Sequence, residues 1–352
     1  MDFSSSNRHG GATAAPPPSP SDHRSSAATS STAEDLRLLL HRLPLSLSVP
    51  SSRLKPRPPP TINFSNSQNT PNGPNGPNGL NGLNGLNGLN IQLGFFQLTH
   101  HGLPPQVAES AESDSLALLS LTREDKNRFS SRKAWQVGFD VDGEGEGEAV
   151  WLDESWLAEW TRLGELAAEL EKIGLGVMEG LMVMVGRCGV PPRMRSLMRV
   201  SRCAGEEREY PCIVSLEYQI RRREYELLGE SGWVTVRPEV GSVLVTVGDV
   251  AQVWSNGKLK KVRGKRVVED GSSAPCVTMS LLITLPTEST VSVAPLPRIK
   301  PIQTDQDDAT KEEEEEEEID EEFNPFSFED YAWRVYHERF LSRDPLDRYR
   351  RR

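Results

Sequence analysis

Between Gly102 and Tyr336 the chain contains no histidine. That span holds most of the apolar sequence, so an imidazole metal site or general base would have to draw on His100, His101 or the chain's ends. Cysteine is also sparse. The four present, Cys188, Cys203, Cys212 and Cys276, form no CxxC pair, which excludes a zinc ribbon or disulfide frame and suits reduced thiols of an intracellular protein. No stretch reaches the ~18–20 apolar residues of a membrane-spanning helix. No apolar segment follows Met1, so secretion is not expected. Cationic side chains are outnumbered, 40 against 51, and the net charge of −11 excludes a general nucleic-acid binder. GxSxG, a phosphate-cradling glycine loop and a Cys–His pair are all missing.

What is present divides by composition. A 36% hydrophobic content with seven Trp supports a core, while a mean hydropathy of −0.50 points to long polar portions. Residues 1–59 are Ser- and Pro-rich and are expected to be disordered, with a plastid transit peptide as the alternative. A short helix over Ala33 to Leu45 and a strand over Thr61–Phe64 are expected. Residues 71–90 repeat NGP and then NGL, a turn-forming loop in which regular glycine disfavours helix. Ile91–Leu98 alternates and reads as a buried strand ending at His100-His101, whose side chains point to opposite sides of an extended chain. Pro104–Leu121 reads as a helix, and Gly143–Gly147 as a loop.

From Asp153 a capped long helix is expected. Leu157, Trp160, Leu163, Leu166, Leu170 and Ile173 lie on its apolar stripe, Gly174 and Gly176 interrupt it, and Val177–Val185 continues it. Strands follow at Cys212–Tyr218, Tyr225–Leu228, Gly232–Val236, Ser242–Val247, Ala251–Trp254, Lys261–Val268 and Val277–Leu285. Asn256-Gly257 is read as the tight turn of a hairpin spanning Gly248 to Val268. Residues 291–325 form an acidic linker, with the run Glu312–Glu318 solvated or docked on a basic partner. Residues 326–352 carry a terminal helix with Ala332, Val335, Tyr336 and Phe340 on its apolar side.

The segments Gly94-Phe95-Phe96-Gln97, His101-Gly102-Leu103-Pro104 and GDVAQVWSNGKLKKVRGKRVV (Gly248–Val268) resemble those of plant-type iron(II)/2-oxoglutarate-dependent dioxygenases, the isopenicillin N synthase-like and gibberellin-oxidase-like enzymes. The resemblance covers roughly residues 60–286. It implies a mixed α/β (α+β) fold: a double-stranded β-helix, or jelly roll, over residues 197–290, flanked by helices and preceded by an N-terminal region over residues 60–196.

It also implies where the chemistry would sit. Such enzymes hold Fe(II) with two histidines and a carboxylate on one face. In this chain Ser215 falls at the early histidine, Glu217 at the carboxylate, and Gly264, or Arg263 after a one-residue slip, at the late histidine. The Arg-x-Ser pair that binds 2-oxoglutarate falls on Cys276 and Thr278, and the Asn-Tyr-Tyr segment on Ser201-Arg202-Cys203. Disturbing only the outer partners of a metal costs about 10- to 100-fold in affinity, so losing both histidines weighs more. The reading is a superfamily member without catalytic or metal residues and without a cofactor, serving as a binding or interaction module. Its alternative is an active or atypical Fe(II)/2-oxoglutarate oxidoreductase hydroxylating a small plant hormone or specialised metabolite. A small molecule in the barrel and a protein at the acidic segment are the partners considered. A monomer is expected, in the cytoplasm or alternatively in plastid or nucleus.

Overall fold

Short runs of alternating apolar residues through the middle of the chain build two sheets that face each other. The computed structural model describes residues 56–64, 93–122, 124–125, 138–140, 149–190, 193–202, 210–268, 277–287, 290–299, 321–338 and 344–351. All fall within the compact unit Leu54–Arg352. Residues 1–55 of the N-terminal Ser/Pro-rich stretch, including the helix expected over Ala33 to Leu45, the Asn-Gly repeat, the loop Gly143–Gly147, the run Glu312–Glu318, Cys203, Cys276 and Phe340 lie outside the described residues.

In chain order the strands are β1 (Thr61–Asn63), β2 (Phe95–Thr99), β3 (Gly138–Asp140), β4 (Ala149–Leu152), β5 (Arg195–Arg202), β6 (Val214–Tyr218), β7 (Glu224–Gly229), β8 (Gly232–Val236), β9 (Val243–Val247), β10 (Gly264–Val268), β11 (Val277–Thr284), β12 (Ser292–Val293) and β13 (Phe326–Ser327). The helices are α1 (Pro105–Leu119), α2 (Glu154–Leu157), α3 (Thr161–Met184), α4 (Asp249–Trp254) and α5 (Phe328–Glu338), followed by a 3-10 turn at Pro345–Tyr349. Eight strands form the large sheet in the order β1-β2-β9-β6-β11-β5-β4-β3, and β10-β7-β8 form the smaller one. Apart from parallel β1–β2, the pairings in both are antiparallel. The smaller sheet lies over the larger through Tyr225, Leu227 and Val236, which pack with Phe95 and Leu244. This is the jelly-roll arrangement that the resemblance implies.

Helix α3 covers the opposite face of the large sheet. Its stripe from Leu163 to Met182 is buried, and burying each Leu or Ile side chain contributes about 1.5–3 kcal/mol. Gly174 and Gly176 do not interrupt it, because tertiary packing overrides their low propensity. A Cβ on Gly174 would stand 2.5 Å from Ile283 Cδ1, so the missing side chain lets the helix lie close on β11. Asp153 does cap a helix, accepting from Trp156 N, but that helix is the four-residue α2. A break at Ala158–Trp160 separates it from α3.

The sharpest difference lies in the segment Gly248–Val268. Ala251–Trp254 is helical, not extended, because Val250, Val253 and Trp254 also satisfy a three- and four-residue repeat and all are buried in the helical form. The Asn256-Gly257 pair adopts the positive φ values that a tight turn needs, 53° and 77°. Those angles close α4 rather than a hairpin, and β10 consequently pairs with β7 while β9 sits between β2 and β6. Gly248, where β9 passes into α4, is confined by backbone: an added Cβ would meet Cys212 O at 2.2 Å. Gly248→Ala is therefore expected to cost about 1–3 kcal/mol or more, read from the urea midpoint at unchanged slope; a loss below half of that range would show that the chain gives way there at little cost.

The C-terminal segment docks on this same turn. Asn256 Oδ1 accepts from Glu322 N at 2.7 Å. Lys261, whose side chain is 5% exposed, joins Asp249 and Asp344, the latter at 2.7 Å, and Tyr331 donates its hydroxyl to Asp249. Phe326, Tyr331 and Tyr349 stack beside this buried charge cluster.

Candidate functional site

Antiparallel pairing determines which side chains share the space between the sheets. Residues directly opposite lie on one face, and neighbours along a strand alternate. Glu217 on β6 is paired with Leu244 and Ser280, and Ser280 with Arg199 on β5. Ser215 shares that face two residues along. From the smaller sheet, Tyr225 is opposite Val267 and Leu227 is opposite Lys265, so Lys265 projects inward with Tyr225.

These inward groups form a closed polar network around Glu217, which is 3% exposed. Lys265 Nζ donates to Glu217 Oε2 at 2.5 Å and to Ser280 Oγ at 3.2 Å. Ser280 Oγ donates to the same carboxylate oxygen at 3.1 Å. Tyr225 donates its hydroxyl to Oε1 at 2.6 Å, with Gln219 Oε1 2.9 Å away. The ammonium also lies 5.8 Å from the centre of the Tyr225 ring. Burial by itself would raise the Glu217 carboxyl, but the Lys265 charge and the hydrogen bonds from Lys265 and Tyr225 outweigh it and hold the group below 4.5. Tyr225 is pushed well above 10 by burial and by the Glu217 charge. One carboxylate is thus held ionised and one phenol neutral.

The other sequence-assigned positions fall as follows. Ser201 and Thr278 are opposite on β5 and β11, and their hydroxyls bond to each other at 2.7 Å. Ser215 is opposite Thr246 and Leu282. Gly264 is opposite Leu228 on the outward face, which it shares with Arg266 and Trp233. The inward position beside Glu217 is Lys265, one residue later than Gly264, because a one-residue shift along a strand exchanges faces. Sequence reasoning missed Lys265. The alternation Lys265, Val267 against outward Gly264, Arg266 was the available signal.

His100 and His101 take no part in this cluster. His101 Nδ1 accepts from Leu103 N at 3.2 Å, which leaves Nε2 to donate to Gly241 O at 2.9 Å. The ring packs edge-on against Tyr218. His100 is exposed and has a positive φ of 58°.

Beside Glu217, Gln219, Arg223 and Met279 border a cleft of about 230 Å³ counting its open mouth. Small-molecule sites usually hold roughly 300–1,000 Å³. Among the described residues, no three His, Cys, Asp or Glu side chains converge as a metal site would need.

Comparison with known proteins gives this geometry its context. Residues 201–274 match the 2OG-Fe(II) oxygenase superfamily. Over those residues the chain is similar to that superfamily. It is 20% identical over 263 residues to a gibberellin 2-beta-dioxygenase of Arabidopsis thaliana, covering 61% of this chain and 74% of the relative. It is 24% identical to a feruloyl CoA ortho-hydroxylase of Ipomoea batatas, covering 51% of this chain and 60%, less than two thirds, of that enzyme. The crystal structure of the rice dioxygenase for auxin oxidation superposes with a TM-score of 0.60 at 18% identity, covering 83% of this chain and all of that one. That of JOX2, in complex with 2-oxoglutarate, iron and JA, gives 0.61 at 15% identity, covering 86% and 92%. At these identities the superpositions speak for the fold.

The superfamily's iron and 2-oxoglutarate can then be tested against this chain's residues. Both Glu217 oxygens are engaged, one by a neighbouring ammonium, and the Ser201 and Thr278 hydroxyls bond to each other. A cation-binding carboxylate that already holds a cation leaves a divalent ion repelled by Lys265. As arranged, the described side chains do not fit the metal.

Proposed function

We propose that this chain is a non-catalytic member of the 2OG-Fe(II) oxygenase superfamily, in which Lys265 supplies the positive charge opposite Glu217 and the barrel serves as a binding or interaction module. The contact of Lys265 Nζ with Glu217 Oε2 carries this reading. A buried carboxylate needs a compensating charge, and the ammonium provides one without open coordination positions. Ser215, at the early histidine position, and Lys265, the inward-facing neighbour of Gly264 at the late one, supply a hydroxyl and a cation in place of two imidazoles. The alternative, an active or atypical oxygenase acting on a small plant hormone or specialised metabolite, is favoured by relatives named for gibberellin and feruloyl CoA. It needs ligands other than the described cluster.

Anaerobic titration of the full chain with Fe(II) and then 2-oxoglutarate separates the two. No saturable binding of either up to about millimolar concentration is expected, as for a carboxylate without imidazole partners. Micromolar binding of both, with succinate released in air, would establish the oxygenase.

A further inference from the structure

Away from the barrel interior, three cations converge where α3 ends. Gly186, at a φ of 71°, turns the chain out of the helix, and Arg187 N returns to Met182 O at 2.9 Å. Arg187 then forms an antiparallel bridge with Arg298, flanked by Cys188 N to Pro297 O and Ile299 N to Gly186 O. Lys258 reaches in from the turn after α4, donating Nζ to Val185 O at 2.8 Å. Arg187 is 4% exposed and gives one guanidinium nitrogen to Leu296 O. Its buried Nε has no hydrogen-bond partner among the described residues. Lys258 and Arg298 are exposed.

The helix carbonyls alone explain one or two cations here. They do not explain three that repel one another. Burial lowers Arg187, the Arg298 charge lowers it further, and the Glu321 carboxylate offsets part of this; burial lowers Lys258, and the Arg187 and Arg298 charges lower it further. Among the described residues none of the three forms an ion pair with a carboxylate. Val183 and Ile299, both exposed, border the corner with apolar surface. Together these features suit an extended acidic chain rather than a compact ion: spread positive charge, a buried guanidinium with donor capacity left over, and an apolar margin.

We propose that Arg187, Lys258 and Arg298 form a binding site for the chain's own run of carboxylates, Glu312–Glu318. The sequence holds one such run, Glu312–Glu318, between Ile299 and Glu322, and both of those residues are anchored at this corner. A ligand tethered at both ends has a high effective concentration.

Fluorescence anisotropy with a labelled hepta-glutamate peptide tests the site in the full chain and in a variant carrying Gln at all of positions 312–318. The Gln variant is expected to bind the peptide, about tenfold more weakly once Lys258→Glu and Arg298→Glu are added, and more weakly as salt rises from about 0.05 M to about 0.3 M. Tighter binding by the Gln variant than by the unaltered chain assigns the site to the chain's own run. Equal binding overturns the assignment to the chain's own run and leaves the site to an acidic segment of another protein. Absence of binding by the Gln variant, or binding unaffected by the charge reversals, overturns the site. The exposed Arg298→Glu change alone, with an unchanged circular dichroism spectrum, separates lost binding from lost fold.

Discussion

Replacing Lys265 with methionine is expected to cost about 3–5 kcal/mol of folding stability, the usual penalty for removing one partner of a buried ion pair. Glu217 would remain enclosed, with Tyr225 and Ser280 donating but no charge opposite it. It would then hold a proton, its pKa raised by burial. Adding Glu217→Leu removes the stranded charge and is expected to recover most of the loss, since an apolar pair of similar volume often equals or exceeds the ion pair it replaces. Urea unfolding of the single and double variants supplies both numbers. A single-variant loss under about 1 kcal/mol would show that Lys265 is an adornment of the barrel rather than its internal counter-charge.

The second large effect is a gain. Ser215 and Glu217 share one face of β6, and Lys265 meets them from β10. Ser215→His with Lys265→His would place two imidazoles beside one carboxylate, the ligand set of non-haem iron oxygenases. Binding of Co(II), followed through its visible absorption, is expected to strengthen by at least about 100-fold over the unaltered chain. Lys265→His alone should recover little, because one imidazole and one carboxylate leave the ion mostly hydrated. If Gly264→His rather than Lys265→His completes the site, the strand register described for β10 is wrong.

Much of this architecture was legible because alternation is strong where one face is buried. Strands β2, β7, β8, β9 and β11 follow from their apolar period, and α1 and the stripe of α3 from theirs. Strand β5 was missed because Arg195, Arg199 and Arg202 interrupt its apolar residues, and long cationic side chains with buried stems look like solvated loop. Strands β3 and β4 depend on pairing with β5 and carry little local signal of their own. Helix α4 was missed because six residues fit both periods, and only the surrounding packing decides. In the site, the resemblance drew attention to Glu217 by placing it at the carboxylate position. Lys265 was hidden behind the expectation of a histidine at Gly264, and only the pairing of β10 with β7 shows which of the two faces inward.

The cluster of Lys261, Asp249 and Asp344 also sets an order in time. Asp344 follows Lys261 by 83 residues, so at about 5–20 residues per second it is synthesised roughly 4–17 s later. Throughout that interval Lys261 has a single carboxylate, and the surface that Tyr331, Phe326 and Leu346 will cover is open to water. The nascent barrel therefore passes through a stage in which its base is sticky and half-neutralised. That stage, rather than the finished molecule, is where a chaperone would find something to hold.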